Sequence, residues 1–380
     1  MEVVRLRAEH YDALLSLLNE VFTIKNGRQM DFLTEMPKMW ARDDEHIGRH
    51  FGIFDGERLV SCIGVYPFCA VVAGEELRFA TMGNIATHPD YEGRGYMSAM
   101  IDTALEELKR LDIDIARLGG LRSRYNRYGF EACGQNYSFH LSKKSLTRLV
   151  DFSISDITFE RILPDSEEYI AFATEVYNKD GIAVPRNIKN AYLSMSMWRS
   201  VPYIALRSGN PVGYLSVSER GNSIAEAFAT DERSLVEMIS AWQAECAENV
   251  SLYRMPHHIE STRVFSSVAI GSSIISPSHF KIVNWEKIIN AFMKLKASYS
   301  KLPVGCLNLE IEDYGRLRIY CDGDSFGCER TESEPDLRLD CLSASRYIFG
   351  PHPAVYTADA DAFASSLFPL PLAWNPQDRV

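Results

Sequence analysis

The chain has 380 residues, room for two or three domains at the usual ~100–200 residues each. Apolar residues make up 46% and charged residues 24%, a globular balance that excludes a collagen-like, coiled-coil or wholly disordered chain. With 40 basic and 51 acidic side chains the net charge is −11; phosphates repel such a surface, so nucleic acid is not the expected partner, and the charge serves solubility first and the attraction of a cationic substrate second.

No run approaches the ~20 apolar residues of a membrane helix. The N-terminus Met1–His10 is charged and has no apolar signal region, so a cytoplasmic protein without a membrane span is expected. The eight cysteines form no C-x-x-C pair and match no zinc spacing. They are expected as reduced, mostly buried thiols, with no metal.

Residues Glu9–Phe22 carry apolar side chains at helical spacing. A second helical stretch, Gln29–Trp40, is broken by Pro37. Phe51–Phe54, the turn Asp55-Gly56 and Leu59–Tyr66 predict a hairpin; Phe68–Ala73, Gly74-Glu75-Glu76 and Leu77–Thr87 predict another. A helix over Tyr96–Leu111 and a buried strand over Ile113–Leu118 follow. From about Phe152 the same order returns: a strand near Ile157–Ile162, a helix near Glu167–Tyr177, and a hairpin of Tyr203–Leu206 with Val212–Val217. Then come a strand at Ala225–Ala229, a helix at Ser234–Cys246 and a strand at Ser251–Met255. The Ser/Pro/Gly-rich stretch Gly271–His279 is expected as a linker. The last part opens with a helix, Trp285–Tyr299. Strands at Cys306–Ile311, Arg316–Cys321, Ser325–Arg330 and Leu337–Leu342 and a short helix Ser343–Phe349 complete it, and three prolines hold the tail from Pro369 extended.

The chemistry concentrates where the long strand ends, at Asn84-Ile-Ala-Thr-His-Pro-Asp-Tyr-Glu-Gly-Arg-Gly-Tyr-Met. A strand runs into a glycine turn and then a helix N-terminus, whose unpaired N–H groups and dipole suit a diphosphate. Glycines at 93 and 95 let a phosphate approach the backbone, and Arg94 offers a charge-assisted contact. The plain alternative is an ordinary strand–turn–helix. A second stretch, Arg122-Ser-Arg-Tyr-Asn-Arg-Tyr-Gly-Phe, follows the Ile113–Leu118 strand. Its Tyr125 is a neutral phenol that could serve as an acid, or an aromatic packing group.

In element order these residues resemble the GNAT acetyltransferase fold, and 88–95 is similar to that family's acetyl-CoA pyrophosphate loop. Against the pattern Q/R-x-x-G-x-G/A, Gly95 matches, Glu92 stands at the first position and Met97 at the last. The resemblance implies acetyl-CoA as co-substrate, held by Ile85, Ala86 and Thr87 along the pantetheine and by Gly93, Arg94, Gly95, Tyr96 and Met97 at the diphosphate. It makes Tyr125 the acid that protonates the departing thiolate.

Over its whole length the chain resembles the enhanced intracellular survival (Eis) family of N-acetyltransferases. That implies an α+β protein of tandem GNAT folds plus a sterol-carrier-protein-like domain. The domains would be a catalytic one at 1–148, a degenerate GNAT-like one at 149–275, whose Phe228–Leu235 segment lacks glycine, and a last one at 276–380. It implies that the tail returns to the active site, where the α-carboxylate of Val380 is the general base, and that the assembly is a homo-oligomer, a hexamer. Phe32, Glu35 and Trp40 would line a pocket for a primary amine on an aminoglycoside, a polyamine or a lysine. The competing expectation is a non-catalytic protein binding CoA or a lipid-like ligand. His257-His258 reads as packing rather than metal chemistry, and no G-x-S-x-G nucleophile motif occurs.

Overall fold

A computed structural model describes residues 2–146, 156–245, 249–356 and 362–379. Val380 and Cys246 lie outside these described residues.

The first third supplies strands β1 (Val4–Arg5), β2 (His50–Asp55), β3 (Arg58–Val72), β4 (Glu75–Thr87), β5 (Ile115–Leu118) and β6 (Glu131–Cys133). β1 to β4 are antiparallel neighbours, and β4 pairs with β5 in parallel. The helix Tyr11–Asn26 buries Leu14, Leu18 and Val21 on one face, against Cys62, Tyr66 and Ala86. The helix Tyr96–Arg110 buries Met100, Ile101, Ala104 and Leu108 on the other, against Val60, Ala80, Met82 and Ala116. Each such large side chain contributes roughly 1.5–3 kcal/mol on burial. The two predicted hairpins share one strand: β3 runs unbroken through Pro67. The pairing of β2 with β3 stops at Gly64, so Pro67 sits beside an open edge where a missing N–H interrupts no neighbour.

The middle of the chain supplies β7 (Asn136–Leu141), β8 (Ile157–Arg161), β9 (Ile182–Ala183), β10 (Val201–Arg207), β11 (Asn210–Val217), β12 (Ser223–Ala229), β13 (Val250–Arg254) and β14 (Gly271–Ile275). Except for β9, which adds to β3, these form a second sheet in the order β14-β7-β13-β12-β11-β10-β8. The strand β15 (Ser278–Ile282) returns to the first sheet, whose order is β1-β2-β3-β4-β5-β15-β6. The two orders mirror each other. β15 lies antiparallel between β5 and β6; β7, from the end of the first third, lies antiparallel between β13 and β14. Each half lends the other one interior strand.

This overturns the linker expected at Gly271–His279. Both halves of that stretch enter strands, β14 against β7 and β15 against β5. Its serines fit because Ser278 is buried with its hydroxyl on the Leu118 carbonyl, 2.7 Å away.

The last part builds a third sheet from β16 (Gly305–Ile311), β17 (Gly315–Cys321), β18 (Phe326–Arg330) and β19 (Leu337–Leu339), in the order β18-β17-β16-β19. The helix Trp285–Ala297 lies on it, with Trp285, Ile288, Ile289 and Phe292 against Leu307, Leu309, Leu317 and Ile319. That core continues into Phe79, Ile115 and Phe280 of the first sheet and is completed by Leu370, Leu372 and Trp374 of the tail. The tail is extended, as expected, and deeply buried. Trp374 stacks on Phe79 with centroids 4.5 Å apart. Asn136 Nδ2 donates to the Trp374 carbonyl at 2.8 Å, and Gly134 must be glycine, since a Cβ there would stand 2.8 Å from the Leu372 carbonyl oxygen.

Because β5 and β6 are completed by a strand 145 or more residues downstream (278 − 133), a fragment of residues 1–148 is expected to lack a cooperative unfolding transition, while the whole chain shows one. Thermal melting followed by circular dichroism checks this; a sharp transition in the fragment would contradict the exchange.

Candidate active site

The first sheet opens where β4 parts from β5. Their pairing spans Phe79–Met82 with Ile115–Leu118 and stops there. At that point the β3–β4 register shifts between Cys62 and Gly64, and Asn84 adopts a left-handed φ of 52°. Such a bulge turns the strand. Ile85, Ala86 and Thr87 continue beyond it, paired with β3 alone, so their other edge is open.

The bulge is held from below. Asn84 Nδ2 donates to the Tyr66 hydroxyl at 2.5 Å, and that hydroxyl donates to His50 Nε2 at 2.7 Å. His50 Nδ1 faces the Ile47 carbonyl at 3.2 Å, which fixes the proton there. All three side chains are buried, and burial takes His50 down to about 4, so it is neutral. Gly64 is required beside them: a Cβ would lie 2.3 Å from the Tyr66 hydroxyl.

The open edge runs into a cavity of about 370 Å³ that Ile85 and Thr87 share with Gly93, Gly95, Tyr96 and Met97. Gly93 and Gly95 take φ of 77° and 81°, and a Cβ on either would meet nothing within 4 Å, so the backbone of the turn borders open space. Gly95 is the N-cap of the helix Tyr96–Arg110 and no side chain caps it, leaving the first N–H groups available. Free N–H groups at a helix start are the kind of donor set that can hold a phosphate-like anion, and Ile85–Thr87 leave backbone groups free on their open edge. Arg94 points elsewhere: it stacks on Tyr91 at 4.7 Å and donates to the Asp90 carbonyl at 3.1 Å. The cations at the cavity are Lys25 and Arg124, which the sequence reading missed because they lie far from the loop in sequence.

Tyr125 ends the short helix Arg122–Tyr125 and is buried with Leu118, Phe130 and Met100. Burial raises its phenol above the usual value, against the pull of neighbouring Arg124, so it holds its proton at neutral pH. Arg122 is occupied elsewhere, as it and Arg346 both grip the buried carboxylate of Glu131.

On the opposite face of the first sheet, Phe32, Trp40 and His50 form an aromatic row. Phe32 and Trp40 have centroids 6.2 Å apart, and Trp40 stacks on His50 at 5.6 Å. Phe32 is buried and Trp40 half-buried, its indole N–H donating to the Phe32 carbonyl at 2.8 Å. Glu35 is buried between two guanidinium groups, Arg28 at 2.8 Å and Arg199 at 2.9 Å. Those cations hold its carboxyl below the usual range although burial alone would raise it. Its charge is therefore compensated within the protein. Arg199 and its neighbour Trp198, both left-handed at φ near 60°, come from the second half.

The tail arrives at the same face. Lys38 Nζ donates to the Gln377 carbonyl at 2.9 Å, and Gln377 Nε2 to the Met195 carbonyl at 3.0 Å. Asp378 accepts from Tyr177 at 2.5 Å and from Arg186 at 3.0 Å, while Arg186 forks onto Glu226 with two bonds of 2.7 Å. Burial lowers Lys38 to about 8. Neither Arg186, Glu226 nor Asp378 stood out in sequence, since their partners are up to 201 residues apart.

In the second half, the segment Phe228–Leu235 presents carboxylates where the first half has glycines. Asp231 caps the helix Glu232–Glu245 through Ser234 N at 2.8 Å, and Glu232 accepts from Ser261 N at 2.9 Å. That helix start is already satisfied and repels an anion. Nearby, Asp180 accepts from His257 at 3.1 Å and His258 at 2.6 Å. The Met255 N–H donates to His258 Nδ1 at 3.3 Å, so the proton sits on Nε2 and faces Asp180 rather than leaving a lone pair for a metal.

Residues 2–133 match the family model described as an acetyltransferase (GNAT) domain. The N-terminal third of the chain is thus a GNAT-type acyltransferase domain. Solved structures are similar over nearly all of the chain. One is a probable N-acyltransferase from Enterococcus faecalis V583, at 15% identity and TM-score 0.67, covering 98% of this chain and 97% of that one. Another is a GCN5-related N-acetyltransferase from Kribbella flavida, at 17% identity and TM-score 0.65, covering 100% and 98%. Eis1 from Mycobacterium abscessus shares 15% identity at TM-score 0.62, covering 91% and 88%. At these identities the likeness is one of fold. No curated protein matches the chain. Among the described residues no helix is long and apolar enough to cross a membrane.

Tyr66→Phe leaves Asn84 Nδ2 and His50 Nε2 buried without their partner and is expected to cost about 1–3 kcal/mol in urea denaturation. His50 and His258 are both lowered from 6.5 to about 4, so the unfolded chain takes up protons before the folded one. The stabilisation that depends on these histidines is expected to be lost as pH drops from about 6.5 towards 4, before the low-lying carboxyl of Glu35 takes up its proton; denaturation midpoints across that window, with His50→Gln flattening the slope, check this.

Proposed function

We propose that the chain is an acetyl-CoA-dependent N-acetyltransferase that acts on a primary amine of a cationic acceptor, such as an aminoglycoside, a polyamine or a lysine. The observation that carries this is the open edge of Ile85–Thr87 leading into Gly93–Gly95 at an uncapped helix start. We propose three units along the chain, the catalytic GNAT domain, a GNAT-like unit without a cofactor loop and a last unit of sterol-carrier-like layout, with the first two exchanging a strand.

When bound, acetyl-CoA supplies the acyl thioester. Backbone N–H groups of Gly93 to Met97 hold the diphosphate, and Ile85, Ala86 and Thr87 extend β4 towards the pantetheine. Tyr125, neutral because buried, gives its proton to the departing sulfur. The acceptor nitrogen must lose a proton as it bonds to the carbonyl carbon, and we assign that proton to the α-carboxylate of Val380. An α-carboxyl ordinarily titrates near 3.3–3.7, so this role requires a setting that makes it a stronger base. The support is the course of the tail, which runs over Phe79 and is tied to Lys38. Phe32 and Trp40 shape the acceptor side as an aromatic wall, and Glu35 orders it by joining Arg28 of the first unit to Arg199 of the second. The acidic net charge of −11 draws a cationic amine in. The reading carries with it a cytoplasmic homo-oligomer, a hexamer by resemblance, which gel filtration with light scattering tests.

Glu92 in the cavity wall favours the second reading, a non-catalytic binder. Calorimetry separates the two: absence of acetyl-CoA binding at high micromolar concentration selects the second.

With acetyl-CoA and a panel of polyamines and aminoglycosides, thiol release is expected. Tyr125→Phe should lower kcat by about 10²-fold or more, and residues added after Val380 should remove most turnover. Unchanged rates in both would overturn the two roles.

A further inference from the structure

The cofactor loop departs from its family pattern in charge. Glu92 stands at the first motif position and lines the cavity, where it is the one acid among the described lining residues. Arg94, the cation within the loop, is turned onto Tyr91 and the Asp90 carbonyl and does not line that cavity. A loop equipped only with Glu92 would repel a diphosphate at close range.

Two cations reach the cavity from other elements. Lys25 lies at the end of the helix Tyr11–Asn26, and Arg124 in the short helix that follows β5. Both line the cavity together with Gly93 and Gly95. Neither is in an ion pair among the described residues; Lys25 Nζ lies over the Phe22 ring, 5.8 Å from its centroid, and Arg124 neighbours the Tyr125 hydroxyl. Lys25 feels both companions: burial lowers its value, Glu92 raises it and Arg124 lowers it.

Resting on the acetyl-CoA reading above, we propose that Lys25 and Arg124 bind the cofactor's diphosphate in place of a loop arginine, one of their two charges being offset by Glu92. With two cations and one carboxylate the wall carries a net single positive charge, added to the N–H groups of the helix start. The ligand class selected is a thioester carried on a diphosphate, since a pantetheine thioester lacks the group that these cations hold. Arg124 also sits beside the proposed acid, so the residue that grips the diphosphate borders the residue that protonates the sulfur.

The experiment is calorimetric binding of acetyl-CoA and of acetyl-pantetheine to the full chain, at low and high salt. Lys25→Met and Arg124→Met are each expected to weaken acetyl-CoA about tenfold at low salt, to leave acetyl-pantetheine unchanged, and to flatten the salt dependence. Glu92→Gln is expected to tighten acetyl-CoA severalfold. Melting temperatures, expected within a degree or so of the unsubstituted chain, show that the substitutions have not unfolded it. Equal acetyl-CoA affinity in Lys25→Met, Arg124→Met and the unsubstituted chain would overturn the inference, as would a tenfold loss in Arg94→Met alone. If the unsubstituted chain binds no acetyl-CoA, the acetyltransferase reading itself fails, which is a different result.

Discussion

Everything in this molecule is arranged around a reciprocal loan of strands. β7 leaves the first third to sit between β13 and β14, and β15 comes back from the middle to sit between β5 and β6. Strand edges left unpaired expose a row of backbone donors and acceptors, so neither sheet is complete without the other half. The exchange brings the two halves side by side and creates the seam along which the tail is buried. It also places Trp198 and Arg199 of the second half against the helix Phe32–Glu35 of the first, so that the proposed acceptor side is built from both.

The proposed cofactor side follows a different logic, one of controlled imperfection in a sheet. A strand that simply continued beside β5 would leave no room for a third party. The left-handed turn at Asn84 diverts it, and a chain of three buried hydrogen-bonding groups ending at the Ile47 carbonyl holds that turn. Buried polar networks of this kind stabilise only when every member is satisfied, and here the tautomer of His50 satisfies each one. The second half shows the same strand order without this provision. Its corresponding helix start is capped by Asp231, and its strand β12 contributes Glu226 to the cluster that holds Asp378.

Much of this was legible in the sequence because it is local. Helical spacing located Tyr11–Asn26 and Tyr96–Arg110, turn residues located the hairpins, and the glycines at 93 and 95 located the cradle. What escaped was whatever depends on a distant partner. Gly271–His279 is rich in serine and proline, and nothing in its own composition reveals that β5, β6 and β7 will pair with it. The resemblance puts Glu35 in an amine pocket, yet Arg199 approaches it from 164 residues away. Arg94 was chosen by its place in the loop, but φ of 77° at Gly93 and 81° at Gly95 carry the chain round so that its side chain turns to Tyr91. Fold and cradle follow from periodicity and turn chemistry; charge partners follow from topology, which one-dimensional patterns do not contain.

The seat of Trp374 has a further consequence. Its indole is sandwiched near Phe79 and Phe68, with centroids 4.5 and 5.7 Å away, its N–H has no hydrogen-bond partner among the described residues, and the Arg117 guanidinium lies 5.7 Å off. Such a dry, apolar setting gives a tryptophan blue emission, and water gives it red. The chain has five tryptophans, but this one changes its surroundings whenever the tail leaves its groove. The molecule therefore carries its own optical gauge of whether the strap across the two sheets is fastened.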